Sequence, residues 1–189
     1  MIVNLAILTT NSRNSENIIQ HFSNFSNTKV QCIISNKDND NLFNQLRRYK
    51  IDTYTTNQYV EIDNILNKHN IHYIILDGYE DKIPLNFCKK YKFKIINLHL
   101  LPLHDPLLFG DDKFNFIKNN HNDNIGINIY FIDSDYYKGL SIFKKIIKID
   151  SEYDITDIKS AIDKLEKSFY PVVIEKTIKN TFNKLYGND

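Results

Sequence analysis

Glycine is scarce in this chain, with five in 189 residues. Loops that wrap a phosphate closely with backbone N–H groups favour glycine, because only glycine lets the main chain approach without a side chain in the way. The first polar loop, Thr9 to Asn17, contains none. Cysteine is scarcer still. Cys32 and Cys88 have neither a metal-type spacing nor the numbers for a disulfide framework, so no metal is expected and a reducing compartment is the simpler setting. No window approaches about 18 consecutive apolar residues, so a membrane-spanning helix is not expected. A formal net charge of +1 removes the electrostatic argument for a nucleic-acid partner. The first residues, MIVNLAIL, lack a basic leader and a small-residue cleavage site, so no signal peptide is expected. These absences predict a cytoplasmic protein with small-molecule ligands, no nucleic acid and no membrane. What is present, 42% hydrophobic and 25% charged residues, is the composition of a soluble globular domain.

Apolar runs then alternate with helical spacing. Ile2 to Leu8 reads as a buried strand, followed by a polar loop and by Ile18, Ile19, Phe22 and Phe25 at helical intervals. The loop stands at a helix N-terminus, where an anion can be held, although its Ser and Asn residues also read as a capping segment. Further strands are predicted over Val30 to Ile34, Ile51 to Tyr54, Ile71 to Leu76 and Lys94 to Leu98. Helices are predicted over Leu42 to Tyr49, Val60 to Lys68 and from Pro84 through Tyr91. Such βα units argue for a mainly parallel sheet with helices on both faces. After a short helix over Asp112 to Lys118, the strands Ile125 to Ile132 and Ser141 to Ile149 could be antiparallel neighbours. Asp154 to about Lys184 reads as one long helical stretch that Pro171 should kink or divide. No linker interrupts the chain, which predicts one domain, residues 1–189, of the α/β class.

The chemistry concentrates in Ile95 to Gly110. An apolar strand runs into Asn97-Leu98-His99, and a loop rich in leucine and proline follows. Side chains alternate along a strand, so Asn97 and His99 share one side of it. Ligands of open parallel sheets collect at the carboxyl ends of the strands. An amide donor and a titratable base there are suited to stabilising an oxyanion and moving a proton. The same pair also fits a strand-end cap beside a hydrogen-bonded histidine.

With these pieces in place, the chain resembles the 10-formyltetrahydrofolate-dependent formyltransferases. Within that family it is most similar to the phosphoribosylglycinamide formyltransferases. The likeness runs from Ile2 to about Lys179. Cys32-Ile-Ile-Ser-Asn-Lys37 resembles the family's second strand, and Leu76-Asp-Gly-Tyr79 its Leu-Ala-Gly-Phe segment, which opens the folate pocket. Asn97-Leu98-His99, nineteen positions after Gly78, matches the Asn-x-His catalytic motif. Gly126 and the strand after it fit a Gly-x-x-x-His-Phe-Val segment, with Tyr130-Phe131-Ile132 in place of the last three. Leu165-Glu-Lys-Ser-Phe-Tyr-Pro171 resembles the Glu-His-x-x-Tyr-Pro helix that reaches the substrate.

The resemblance implies a Rossmann-like formyltransferase fold, mainly parallel with its last strand antiparallel, and 10-formyltetrahydrofolate as co-substrate with no metal. It implies Leu76, Gly78, Tyr79, Lys82 and Ile83 for the folate. It implies Asn11, Ser12, Asn14 and Glu166 for the acceptor, a primary amine on a small phosphorylated or nucleotide-linked sugar. Glycinamide ribonucleotide, from purine biosynthesis, and an amino sugar are the two candidate acceptors. Three departures accompany it. The family's catalytic aspartate falls on Tyr137, followed by Lys138-Gly139, with Asp135 two residues and Asp133 four residues earlier. The phosphate-holding Gly-Asn-Gly-Ser-Asn loop is replaced by Thr10-Asn11-Ser12-Arg13-Asn14. The loop after His99 carries His104 and Asp105 as extra residues before Gly110.

In the family's chemistry Asn97 donates to the oxygen that gains charge, a contact worth about two to three powers of ten in rate. His99 supplies acid–base help worth about 10²–10⁴ more. The aspartate would favour the charged form of the histidine. Tyrosine, neutral at pH 7 with a reference pKa of about 10, cannot do so. Asp135 is therefore the expected third catalytic residue, with Asp133 and Asp105 behind it. The alternative to an enzyme is a catalytically silent relative that acts by binding.

Overall fold

The computed structural model describes residues 2–101, 112–119, 124–132, 139–150 and 152–186, with 182–186 described by backbone alone. Five strands and four helices alternate first: β1 (Val3–Thr9), α1 (Ser15–Ser23), β2 (Thr28–Ser35), α2 (Asp40–Leu46), β3 (Asp52–Thr55), α3 (Tyr59–Lys68), β4 (Tyr73–Asp77), α4 (Leu85–Lys90) and β5 (Ile95–Leu101). Then come α5 (Asp112–Asn119), β6 (Asn124–Ile132), β7 (Ser141–Lys148) and α6 (Ile155–Tyr186). The strands form a seven-stranded sheet in the order β3-β2-β1-β4-β5-β6-β7. β1 pairs in parallel with both β2 and β4, and β6 pairs antiparallel with β7. This is the mainly parallel α/β architecture expected, with the last strand reversed.

Two compact units divide the chain. One comprises Met1–Asn97 with Phe131–Leu140, and the other Leu98–Tyr130 with Ser141–Asp189. In the first unit β1 is central. Leu5, Ala6, Ile7 and Leu8 are fully buried, as are Ile33 on β2 and Ile74 and Ile75 on β4. Each leucine and isoleucine among them contributes about 1.5–3 kcal/mol when removed from water. The strand order reverses between β1 and β4, because β2 and β3 are added on one side and β4 on the other. Right-handed crossovers then assign α1 and α2 to one face and α3 and α4 to the other.

The second unit holds a hairpin-like pair and a long helix. Gly126 on β6 lies so close to β7 that a Cβ there would stand 2.1 Å from the Lys145 carbonyl oxygen, so no larger residue fits. β7 stands at the edge of the sheet and carries exposed Lys144, Lys145 and Lys148, charges that discourage pairing with another chain. α6 runs unbroken from Ile155 to Tyr186 with Pro171 inside it, where the sequence predicts a kink or a break. Proline removes one intrahelical bond at a cost of about 3 kcal/mol. Tyr170, Val173 and Ile174 around it are buried, and their packing offsets that cost. Between Leu42 and Tyr49 the expected single helix is α2 followed by one 3-10 turn, Arg47–Tyr49. Among the described residues no helix is long and apolar enough to cross a membrane.

Candidate functional site

Four parallel strands end at the same level. Thr55, Ser35, Thr9 and Asp77 are register partners in sequence across β3, β2, β1 and β4. The last three are buried. This polar row marks the carboxyl edge of the sheet, and the reversal of strand order falls between Thr9 and Asp77. Such a switch point is where open α/β sheets present their ligand crevice.

At that point the loop after β1 folds over the turn after β4. Gly78 has φ +60°, and a Cβ on it would stand 2.2 Å from the Asn11 carbonyl oxygen. Only glycine tolerates both the left-handed angle and the approach. Its carbonyl accepts from the N–H groups of Thr10 (3.2 Å) and Asn11 (3.1 Å). The Thr9 hydroxyl donates to the Asp77 carbonyl at 2.6 Å, and Glu80 N–H donates to the Thr10 hydroxyl at 3.0 Å. Asn11 is spanned on both ends of its amide: Nδ2 donates to Glu80 Oε1 at 2.7 Å, and Lys37 Nζ donates to Oδ1 at 2.8 Å.

The Asp77 side chain is the centre of this arrangement. It is 1% exposed, and its carboxylate points at the start of α1. Oδ2 accepts from the hydroxyls of Ser15 (2.7 Å) and Ser12 (3.0 Å) and from the Arg13 N–H (3.1 Å). The Asn14 N–H donates to both oxygens, at 2.9 and 3.0 Å, and Asn14 Nδ2 approaches Oδ1 at 3.4 Å. Asn14, at the N-cap, makes no side-chain cap bond to its own helix. The expected Ser/Asn capping segment is therefore a set of donors, and the acceptor comes from another strand. An anion is favoured there by the oriented N–H groups and the positive end of the helix dipole.

The remaining expected folate residues lie around the same turn. Leu76, Tyr79 and Ile83 are buried, while Gly78 and Lys82 are exposed. The Tyr79 hydroxyl lies 3.1 Å from that of Tyr59. Burial pushes the Tyr79 phenol above its ordinary pKa, against the opposing effect of the Tyr59 bond, so it is neutral at physiological pH. The three apolar positions of this segment are thus packed in the interior, and Gly78 and Lys82 are its exposed positions.

β5 carries the expected catalytic pair. Its register with β4 is Ile74↔Ile95 and Ile75↔Ile96, so Asn97 is the first residue beyond that ladder. Asn97 is 8% exposed and His99 half-buried. Alternation along the strand aims both to one side. Glu166 lies on α6, 2% exposed among Leu165, Ile162 and Tyr170. Asp135 lies outside the described residues, as do Asp105, Asp133, Tyr137 and His104. The structure thus joins Asn11, Ser12 and Asn14 to the Asp77–Glu80 turn, and Asn97 to His99 through one strand. Asp77 is not among the residues that the sequence singled out. Its signal was a carboxylate where the resembling family has alanine, opposite a loop of donors without glycine.

Among the described residues no group of three or more His, Cys, Asp or Glu is placed to hold a metal ion. Cys32 and Cys88 are free and buried. Burial first, and then the nearby Asp52 charge, pushes the Cys32 thiol up to about 12, which leaves it no nucleophilic thiolate at neutral pH.

Residues 3–174 match the sequence profile of the formyl transferase family. Among solved structures, phosphoribosylglycinamide formyltransferase from Bacillus halodurans superposes with a TM-score of 0.82 at 20% identity, over 95% of this chain and 97% of that one. Glycinamide ribonucleotide transformylase 1 from Geobacillus kaustophilus gives 0.80 at 18%, over 92% and 97%. A formyltetrahydrofolate deformylase from Pseudomonas putida gives 0.81 at 15%, over 95% of this chain and 66% of that one. At these identities the structural likeness is one of fold.

Proposed function

The chain belongs to the formyl transferase family, whose co-substrate is 10-formyltetrahydrofolate, and on that premise we propose that it moves a formyl group from this folate to a primary amine on a small sugar. The phosphorylated or nucleotide-linked sugars named by the sequence are the acceptor class. The observation that supports the reading is the stretch of β5 just past its ladder with β4, where strand alternation puts Asn97 and His99 on one side. Folate binding is assigned to the segment of Leu76, Gly78, Tyr79, Lys82 and Ile83, in which Gly78 and Lys82 are exposed and the other three are buried. The bound folate supplies an activated formyl carbon. Asn97 donates to the carbonyl oxygen as the amine adds and charge develops on it. His99 takes the amine proton and stabilises the same charge. As the tetrahedral adduct collapses, the bond from the formyl carbon to the folate nitrogen breaks, and that nitrogen leaves with the proton His99 returns. Asp135, two residues before the position where the family has its aspartate, is the carboxylate we assign to holding His99 ready.

The test is direct. Calorimetric titration with 5-formyltetrahydrofolate, a stable stand-in for the donor, should show micromolar binding. In a formyl-transfer assay by mass shift over a panel of amino sugars, His99→Ala should lose about 10²–10⁴ in rate with its fold intact. Turnover like wild type in that variant rejects the assignment. Asp135→Asn should be the most damaging of the acidic substitutions, and no effect there moves the role to Asp133 or Asp105. Tyr137 at the expected aspartate position favours a second reading, a silent relative that binds without transfer. Folate binding without turnover on any amine selects it.

A further inference from the structure

We infer that Asp77 is a built-in anion that fills the cradle at the start of α1, so that the amine acceptor of this protein is not held there by a phosphate monoester. The inference rests on the formyl-transfer reading for the word acceptor, and on the geometry of the first unit for everything else. Two solved relatives in fold carry the names phosphoribosylglycinamide formyltransferase and glycinamide ribonucleotide transformylase, and each name describes an acceptor that bears a phosphate. A phosphate in an α/β fold is characteristically received by N–H groups at a helix N-terminus beside the switch point of the sheet. In this chain that place is the loop Ser12–Ser15, directly beyond the Thr9–Asp77 register pair.

The loop offers the donors that a phosphate needs. The N–H groups of Arg13 and Asn14 and the hydroxyls of Ser12 and Ser15 converge on one spot, and all four already donate to the Asp77 carboxylate at 2.7–3.1 Å. The carboxylate is 1% exposed, so no solvent-filled gap separates it from the donors. A phosphate monoester entering the spot would lose these N–H groups to a competitor fixed in the fold. It would also meet a like charge at hydrogen-bond range, an arrangement that costs several kcal/mol. The turn behind Asp77 cannot swing aside cheaply. Gly78 is locked against Asn11 by close approach and by two hydrogen bonds to its carbonyl, and Thr9 holds the Asp77 carbonyl. Asn11, the other polar side chain of the loop, is taken up by Glu80 and Lys37. The consequence is a specificity rule. Acceptors are recognised through groups other than a terminal phosphate, and a neutral or diester-linked sugar amine satisfies that rule.

The experiment uses the full chain and inorganic phosphate as probe, with ionic strength matched by sodium chloride. Amide NMR shifts of Arg13, Asn14 and Ser15 and the thermal midpoint are followed as phosphate is raised. Wild type should show no saturable shift at these amides and no rise in midpoint. Asp77→Ala should gain phosphate affinity by about tenfold or more, with the shifts centred on Arg13 and Asn14 and a midpoint that climbs with phosphate. Asp77→Asn, which keeps the size and one acceptor oxygen, serves if the alanine variant does not fold, and should gain less. Saturable phosphate binding by wild type at the Arg13 and Asn14 amides overturns the inference, as does a folded Asp77→Ala protein that binds no better than wild type. Titration of the same samples with 5-formyltetrahydrofolate separates the two levels. Loss of folate binding in wild type would reject the formyl-transfer reading while leaving the phosphate result standing.

Discussion

Two neighbouring strands differ at the carboxyl edge of the sheet. β4 ends in a carboxylate turned onto the chain's own loop, where Ser12, Arg13, Asn14 and Ser15 satisfy it. β5, paired to β4 at Ile95 and Ile96, runs on to Leu101 and carries an amide and a half-buried imidazole just past that ladder. The first arrangement holds; the second is equipped to handle charge and protons. In a doubly wound sheet the carboxyl edge is the functional edge as a whole. Here part of that edge has been turned to structure, and the difference lies in one side chain. An aspartate near a helix N-terminus is satisfied within the fold, whereas the asparagine and histidine of β5 are the pair we propose for the reaction.

The largest expected effect lies on the β5 side and separates the two members of the pair. Asn97→Ala should lower the turnover rate by about 10²–10³ through loss of one oxyanion donor, while the pH dependence of turnover keeps its wild-type form. His99→Ala should change that form as well as the rate, because it removes the titrating group. If Asn97→Ala also reshapes the pH profile, the two residues do not divide the chemistry in this way and the contrast between the strand ends loses its basis.

On the β4 side the expected effect is on stability. Gly78→Ala forces a Cβ to within 2.2 Å of the Asn11 carbonyl at φ +60°, and should cost about 1–3 kcal/mol or more by backbone strain and clash. Urea unfolding measures it. A loss under half a kcal/mol would mean that the loop yields, and with it the claim that Asp77 is held in place by a turn that cannot open.

The fold was readable because its causes are local. Ile71 to Leu76 and Ile2 to Leu8 are apolar runs interrupted only by His72 and Asn4, and such near-continuous runs belong to strands covered on both faces. The βα alternation then leaves few topologies. Boundaries moved by one to three residues, as at β5, which runs on from the expected Leu98 to Leu101, and at β2, where Thr28 and Lys29 extend the strand because the ladder to β1 begins at Val3↔Thr28. The structure places Asn97 and His99 on β5, and both were singled out by their spacing and by a family resemblance. Asp77 was not. Its role depends on contacts with residues more than sixty positions earlier, and no local pattern distinguishes a turn-making Asp-Gly from an anion aimed at a distant helix. Pro171 taught the reverse lesson. Local propensity argues for a break in α6, yet the buried neighbours Tyr170, Val173 and Ile174 keep the helix running.

The opposite end of the β1–β4 seam offers the smallest effect and the sharpest contrast in charge. His72, just before β4, accepts the Asn4 N–H at Nδ1 (3.0 Å), and its own N–H donates to the Asn4 carbonyl at 2.8 Å. Where Asp77 closes the carboxyl end with an anion, His72 closes the amino end as a neutral acceptor, since a protonated Nδ1 has no lone pair to offer. Burial, followed by the charge of Lys94, depresses its pKa below the ordinary 6.5. The sign follows from linkage. In the window between the folded and unfolded pKa values the unfolded chain binds more protons at this site, so stability rises with pH there. The contribution is complete above the unfolded value, and it is lost as pH falls through the depressed folded value. His72→Gln keeps a side-chain acceptor without a titration. Stability by urea unfolding should therefore fall less between pH 7 and pH 5 in that variant than in wild type. Equal slopes would show that the Asn4–His72 bond survives protonation, and that the two ends of the seam do not differ in the charge they require.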